Sequence, residues 1–425
     1  MSFLPEPLRI ADFRSFWLAR LTTTVAQMAM VIVIGWQVYD IARQTMSIGD
    51  ASFQLGLIGL VQFVPLFALT PVSGWAADRF DRRHVARAVI LLEMLCALIL
   101  FIATWTGHIS LPILFSVAAL LGVARAFAGP ALGALAPNLV PRELLPRAIA
   151  LSSTAWQAGA IAGPALGGLL YDLTPHLPYA VSTLLFGFSA VCLFMIGPVQ
   201  RTAIEPGRPI RKMVEGLRYI GRNRLVLGAI TLDLFAVLLG GVTAMLPVYA
   251  RDILVVGAQG LGPMRAAPAL GATLTAIYFS FRPIRTDVGV KMLSAVVVFG
   301  AATAIFGVSR SYGLSLAMLA LLGAADMFSV YIRQSLIQLH TPDQMRGRVG
   351  AASTLAISAS NELGEARSGF AAAAVGPVTA TVAGGIAAVV VTLIWAGWFP
   401  ELRRARTFDL PEPPPEKATV TSGGV

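Results

Sequence analysis

Long apolar blocks, broken by short polar connections rich in arginine, set the pattern of this chain. Twelve blocks read as helices that cross a bilayer, near residues 16–41, 55–77, 85–106, 111–135, 147–171, 179–199, 224–250, 260–281, 289–309, 313–338, 348–374 and 378–399. About 20 apolar residues suffice to span the hydrocarbon core. The eighth and eleventh blocks are the least clean. The first is too long for the apolar stretch of a signal peptide and lacks a small-residue cleavage site, so it reads as a retained span. The longest internal polar stretch runs from Gln200 to Asn223, with Pro206, Pro209 and seven basic residues through Arg224. It predicts two six-helix units, residues 1–199 and 224–400, joined by a loop of residues 200–223. Residues 211–222 predict a basic amphipathic helix on the membrane surface. The polar tail, residues 401–425, carries Pro411, Pro413, Pro414 and Pro415 and is predicted to be disordered.

Composition agrees with a bilayer as the solvent. Of 425 residues 56% are hydrophobic and 13% charged, with mean hydropathy +0.74, whereas soluble domains average roughly 25% charged residues. The net charge of +10 changes meaning once it is sorted by position. The N-terminus, the even-to-odd connections and the C-terminus hold 24 of the 32 basic residues, against 13 acidic ones. The odd-to-even connections hold only Arg43, Arg251 and Arg310, against 4 acidic residues. Lys and Arg accumulate in cytoplasmic loops, so both termini are expected in the cytoplasm. The basic excess is then orientation, and no nucleic-acid partner is expected. Cys96 and Cys192 sit inside apolar blocks and read as buried thiols. The four histidines have no ligand spacing, so no metal or cofactor is expected.

The two halves match at an offset of 201 residues: Leu121-Gly122, Phe127, Pro141, Arg147, Ser152, Gly163 and Gly168 against Leu322-Gly323, Phe328, Pro342, Arg348, Ser353, Gly364 and Gly369. Repeated halves place a transport site near the midplane between them. The second connection reads Gly74-Trp-Ala-Ala-Asp78-Arg79-Phe80-Asp81-Arg82-Arg83. A helix exit at Gly74, followed by Asp78, Arg79, Arg82 and Arg83, offers charge pairs that latch one conformation and break in another. In the fifth block Gly159, Gly163 and Gly167 form a flat face for close helix approach, with Gly168 beside it. Pro164 favours a kink there. These residues are candidates for gating.

Ten charged residues lie within the apolar blocks: Arg20, Arg125, Arg265, Arg333 and Arg367 against Glu93, Asp233, Asp326, Glu362 and Glu365. Each costs about 2.5–3.5 kcal/mol on insertion scales unless it meets a partner or a wet cavity. Asp326 occupies the repeat position of Arg125, and seven residues separate it from Arg333, on the same helix face. Asn361 and Glu365 share a face, and Glu362 and Glu365 are close enough for like-charge coupling. Asp233 and Asp326, then Glu362 and Glu365, are the candidate proton-coupling carboxylates, with Arg125 and Arg333 as charge partners; permanent structural pairing with Arg265, Arg333 or Arg367 is the competing reading. Arg20, Gln27, Gln157 and Asn361 are candidate substrate contacts. Among aromatic and sulfur residues, Trp36, Met28, Met30, Phe235 and Trp156 offer themselves as pocket lining.

The connection after the second block resembles the major facilitator signature, with Asp81 in place of its second glycine. Gly159-x-x-x-Gly163-Pro164-x-x-Gly167-Gly168 resembles the antiporter motif of that superfamily's exporters, and Arg125-x-x-x-Gly129-Pro130 its fourth-helix element. Further strings narrow the resemblance to the enterobactin-exporter-like and drug-efflux branch. They are Met213-Val-Glu215-Gly216-Leu217-Arg218, Arg265-Ala-Ala-Pro, Gly323-Ala-Ala-Asp326, Thr341-Pro-Asp-Gln-Met-Arg346-Gly347-Arg348 and Ser360-Asn361-Glu362-Leu-Gly364-Glu365. The resemblance covers residues 14–400. It implies an all-α membrane protein of the major facilitator fold, a monomer of two pseudo-symmetric six-helix bundles. It also implies proton-driven export of an amphipathic small molecule, siderophore or drug-like, across the bacterial inner membrane. An importer or uniporter on the same fold is the alternative. No nucleophile cluster or phosphate-cradling loop points to an enzyme or an ATP-driven pump.

Overall fold

The computed structural model describes residues 5–135, 138–198, 209–282, 284 and 286–408. Its long helices are α1 (Ala11–Ala42), α2 (Ile48–Arg79), α3 (Arg82–Trp105), α4 (Leu111–Leu135), α5 (Leu145–Leu173), α6 (Leu177–Phe194), α7 (Arg224–Gly240), α8 (Gly257–Phe281), α9 (Val288–Val308), α10 (Tyr312–Leu339), α11 (Asp343–Val375) and α12 (Pro377–Trp398). Among the described residues nine helical segments are long and apolar enough to cross a membrane. The three long helices outside that set are α5, α8 and α11. With α2 they form the two lines along which the halves meet, and their glycines and polar side chains lower their hydropathy.

Polar caps start several helices. Ser47 accepts from the Asp50 amide at 3.1 Å at the head of α2, and Asn223 from the Val226 amide at 3.2 Å at the head of α7. Asp81 accepts from the Arg83 amide at 2.9 Å at the head of α3. This gives a physical reason for the aspartate where the signature has glycine: its side chain satisfies an amide that the first helical turn leaves orphaned.

Packing follows the repeat. In the first half α1 lies against α5 and α6, α2 against α4, and α3 against α4 and α6. In the second half α7 lies against α11 and α12, α8 against α10, and α9 against α10 and α12. Adding six to each helix number of the first set gives the second. The halves meet along α2 with α11 and α5 with α8. The first and last described segments, near Glu6 and Glu401, and the starts of α1, α3, α5, α7, α9 and α11 lie at one end of the bundle, the terminal end: Glu6 pairs with Arg147 and Glu401 with Arg224. The opposite end is the far end.

Three details differ from the sequence expectation. The seventh block is broken after Gly240 by the pair Gly240-Gly241 and continues as short turns, Thr243–Met245, Leu246–Val248 and Tyr249–Ile253. A Cβ at Gly240 would stand 2.8 Å from the Phe299 ring, and Gly241 leaves the helix with extended backbone. The linker helix Pro209–Arg222 docks on the second half, with Glu215 paired to Arg348 at 2.7 Å and the Tyr219 hydroxyl donating to the His340 carbonyl at 2.7 Å. Ile220 is buried there with Val349 and Ala352, while Val214 and Leu217 remain exposed. The tail expected to be disordered from residue 401 is packed as far as Phe408. Leu402 is buried in a short helix, Pro400–Arg404, and the Ala405 carbonyl accepts from the Gly289 amide at 2.9 Å. An apolar residue within reach of a core cluster overrides the polar composition around it. Residues 409–425 lie outside the described ones.

Candidate functional site

A cavity of about 900 Å³ lies between the halves. That is ample for a drug-sized molecule, whose pockets run about 300–1,000 Å³. Its apolar wall includes Met28, Met30, Ile58, Trp156, Phe186 and Phe299. The break after α7 brings Gly241, Val242 and Thr243 to the wall. Unwound backbone at membrane depth is tolerated where it lines such a cavity.

Most of the intramembrane charges converge here. Glu93, Arg125, Arg265, Asp326, Glu362 and Glu365 all line the cavity. Arg125 on α4 reaches across the halves to Glu362 on α11 at 2.7 Å and also donates to the Gln62 side chain at 3.3 Å. Arg265 lies 3.7 Å from Glu365, which accepts from the Thr243 hydroxyl at 2.9 Å. Gln27 donates to Glu93 at 2.6 Å. Gln157 bridges α5 to α8, donating to the Thr273 hydroxyl at 2.6 Å and the Ala269 carbonyl at 3.1 Å. Asn361 lines the cavity one residue before Glu362.

Other candidates lie elsewhere. Asp233 and Arg333 form an ion pair and are 7% and 2% exposed, away from the cavity lining. Removing one partner of such a pair strands a buried charge, which fits a structural role. Asp326 faces the cavity without sharing this pair, although Arg333 stands within electrostatic reach of it. Arg20 is not among the lining residues, nor are Trp36 and Phe235. Trp36 packs edge-on against Tyr171 and Phe235 against Trp395.

The glycines of α5 serve two partners. A Cβ at Gly159 would meet Thr24 at 2.7 Å, one at Gly163 the Val25 carbonyl at 2.6 Å, and one at Gly167 the Ala29 carbonyl at 3.0 Å. These three therefore seat α1 on α5 within one half. Gly168 instead faces α8, where a Cβ would stand 2.6 Å from the Ala258 carbonyl; a Cβ on Gly262 of α8 would stand 2.8 Å from the Pro164 carbonyl. Across the other line of contact, a Cβ at Gly369 of α11 would lie 2.3 Å from the Gly56 amide nitrogen of α2. All these contacts between halves sit toward the far end.

The far end also carries charge pairs between residues that the sequence marks only as loop charge. Arg43 pairs with Asp252 at 3.3 Å, and Asp40 with Arg251 at 3.0 Å. The Tyr39 hydroxyl donates to Asp252 at 2.5 Å. Asp40 and Arg43 end the first span of one half, while Arg251 and Asp252 end the first span of the other. The two pairs do not fall at the 201-residue offset, so the repeat in the sequence did not mark them. At the terminal end Asp81 holds Arg83 at 2.7 Å, which draws its carboxyl down to about 2. Arg79 and Arg82 stand at the same turn. Gly74 and Asp78 belong to α2, and their side-chain surroundings lie outside the described residues. Toward the terminal end, a Cβ on Gly129, Gly133, Gly347 or Gly350 of α4 and α11 would meet nothing within 4 Å among the described residues. The cavity lining reaches Ser280 there, one residue from the end of α8. The glycine and ion-pair contacts between the halves gather at the far end, while the cavity lining extends to Ser280 toward the terminal end.

The family model for transmembrane secretion effectors matches residues 4–413. The enterobactin exporter EntS of Citrobacter koseri is 26% identical over 414 residues, covering 95% of this chain and 94% of that protein. A bacterial homologue of the human lysosomal transporter Spinster, in an inward-facing and unoccupied conformation, superposes with a TM-score of 0.68 at 16% identity, covering 94% of this chain and 98% of its own. The POT family transporter PepTSo gives a TM-score of 0.72 at 12% identity, covering 94% of this chain and 99% of its own. These likenesses show the major facilitator fold.

Proposed function

The chain belongs to the transmembrane secretion effector family of major facilitator transporters, and from that premise we propose that it exports an amphipathic small molecule in exchange for protons. All twelve long helices cross the bacterial inner membrane in this reading, as two six-helix units, and the terminal end faces the cytoplasm, where the basic connections gather. The observation that carries the proposal is the cavity itself: drug-sized, apolar-walled, ringed by carboxylates and guanidinium groups from both halves, with a lining that extends toward the terminal end. Cargo enters from the cytoplasm and lies between the halves. Export then requires the far-end contacts to part and the terminal end to close.

Proton exchange gives the cycle its direction. Asp326, Glu362 and Glu365 line the cavity, where a proton arriving from the far side can displace cargo. A ligand shifts an equilibrium only by its differential affinity for the two states, so cargo and proton must favour opposite ends. The enterobactin exporters among the relatives make siderophores one class of cargo to test, and drug-like amphiphiles another.

Everted vesicles containing the protein test the reading. Uptake of the cargo is expected only with an inward-acid gradient and is expected to collapse with a protonophore. Asp326→Asn is expected to uncouple uptake from that gradient. Flux that persists unchanged after the gradient is dissipated would make the protein a uniporter and sink the proposal.

A further inference from the structure

Among the described residues, two carboxylates of the cavity have no ion-pair partner of their own. The arginines among its described lining residues are Arg125 and Arg265, and both are committed, to Glu362 at 2.7 Å and Glu365 at 3.7 Å. That leaves Glu93 on α3 and Asp326 on α10, one from each half. Arg125 is within electrostatic reach of Glu93, and Arg333 of Asp326, but their bonds go to Glu362 and Asp233.

Glu93 is the more constrained of the two. It is 1% exposed yet belongs to the cavity wall. One carboxylate oxygen accepts from Gln27 at 2.6 Å; the other is buried and has no hydrogen-bond partner. An ionised carboxylate buried without a cation is costly, as is an acceptor without a donor. In its ionised form this group is settled by a donor that brings positive charge, and the arginines among the described lining residues are committed elsewhere. Met28, Met30 and Phe186 provide apolar and polarisable surface in the same wall.

We propose that Glu93, oriented by Gln27, anchors a protonated amine of the cargo, so that the transporter selects amphipathic cations, an ammonium joined to an apolar body. This rests on the export reading and narrows its substrate class. Asp326, across the cavity in the other half, is the carboxylate left for the exchanged proton. Four acidic groups against two basic ones in the wall favour that charge. A catecholate such as enterobactin brings neutral or acidic groups and leaves both carboxylates uncompensated.

The test uses the purified full-length protein and two fluorescent probes. Dansylcadaverine ends in a primary ammonium, and its N-acetyl derivative keeps the dansyl group and tether without the charge. Wild type is expected to bind the amine at least ten-fold more tightly than the acetylated probe. Glu93→Gln, which preserves shape and an acceptor for Gln27, is expected to remove that preference and leave the acetylated probe's affinity unchanged. Should this variant misfold, Gln27→Met takes its place, with the preference expected to fall about three-fold. Equal binding of both probes by wild type overturns the proposal, as does a folded variant of either kind that keeps the full preference. Binding is read without a gradient, so failure of proton-driven flux leaves it untouched. Conversely, gradient-driven enterobactin flux in wild type with no preference between the probes overturns the cation reading and sustains export.

Discussion

The two ends of the bundle are built from the same repeat yet stand in opposite states. At the far end, glycines bring backbone against backbone, Gly369 on Gly56 and Gly168 on Ala258, and two ion pairs cross between the halves. At the terminal end, Gly129, Gly133, Gly347 and Gly350 meet nothing among the described residues within 4 Å of where a Cβ would stand. Glycine where nothing is packed brings no benefit to a helix and costs about 1 kcal/mol relative to alanine. Its presence at the open end is explained if that end also closes, with these positions meeting backbone as Gly56 and Gly369 do. The contrast teaches that the chain carries two seams and that this structure shows one of them shut.

The largest effect is expected from overfilling the shut seam. Gly369→Val places a Cβ 2.3 Å from a backbone nitrogen of α2, which cannot turn aside as a side chain can. Overpacking of this kind costs about 1–3 kcal/mol or more, and prying the far end apart relieves it. Flux is expected to fall more than ten-fold. A cysteine at Ala51, fully buried at the far end, is expected to become reactive toward an impermeant maleimide. Wild-type flux with Ala51→Cys still protected would remove the argument that backbone contact seals this end.

The open seam gives the converse case. Gly133→Leu has room in the present state, so folding and binding of probe from the terminal end are expected to match wild type. Flux is expected to fall about five-fold or more, because the added side chain obstructs the closing step. A variant that loses binding and flux together would show that Gly133 serves the fold and not a second seam.

How much of this was legible in the sequence follows from what each feature depends on. The helices were legible because a bilayer demands long apolar runs, and even the polar α5, α8 and α11 show as interrupted blocks. The repeat was legible at Pro141, Arg147, Pro342 and Arg348, where chance matches are rarer than among alanines and leucines. The break after α7 was hidden, since Gly240-Gly241 reads equally well as a packing surface. Pairing was also hidden. Arg333 was available to Asp326 on its own helix, yet it pairs with Asp233 of α7. Glu93 was visible as an intramembrane charge, but its importance rests on Gln27 lying 2.6 Å away on another helix. Charge in a short connection predicts topology alone, so Asp40, Arg43, Arg251 and Asp252 became a latch only once both halves were in view.

That latch is expected to contribute less than the glycine seam. Half-exposed ion pairs contribute about 0.2–1 kcal/mol each. Asp40→Arg alone is expected to raise maleimide labelling of Ala51→Cys by about two- to five-fold. Pairing it with Arg251→Asp is expected to bring labelling back toward wild type, because the reversed pair restores the attraction. If the double variant labels as fast as the single one, the pair does not hold the far end shut.

The smallest effect belongs to the terminal end of the first half, where charge organises one half and not the boundary between the two. Asp81 caps α3 and holds Arg83, whose guanidinium also donates to the Ile196 carbonyl at 3.3 Å. Arg87 donates to the Leu193 carbonyl at 3.0 Å. These donors gather the last carbonyls of α6, where cations are favoured by the helix dipole. A carboxyl held near 2 contributes its stability above its ordinary value of 3.8 and gives it up as the pH falls toward 2. Asparagine caps a helix as well as aspartate does, so Asp81→Asn removes the charge and keeps the cap. Its unfolding in detergent is expected to cost up to about 1 kcal/mol relative to wild type at pH 6, a difference that shrinks as the pH falls toward 3. A difference that is constant across that range would mean that capping geometry, and not the pairing with Arg83, is what Asp81 supplies. Far-end labelling is expected to stay at the wild-type rate throughout, since both partners of this pair lie in one half and neither seam needs them to part.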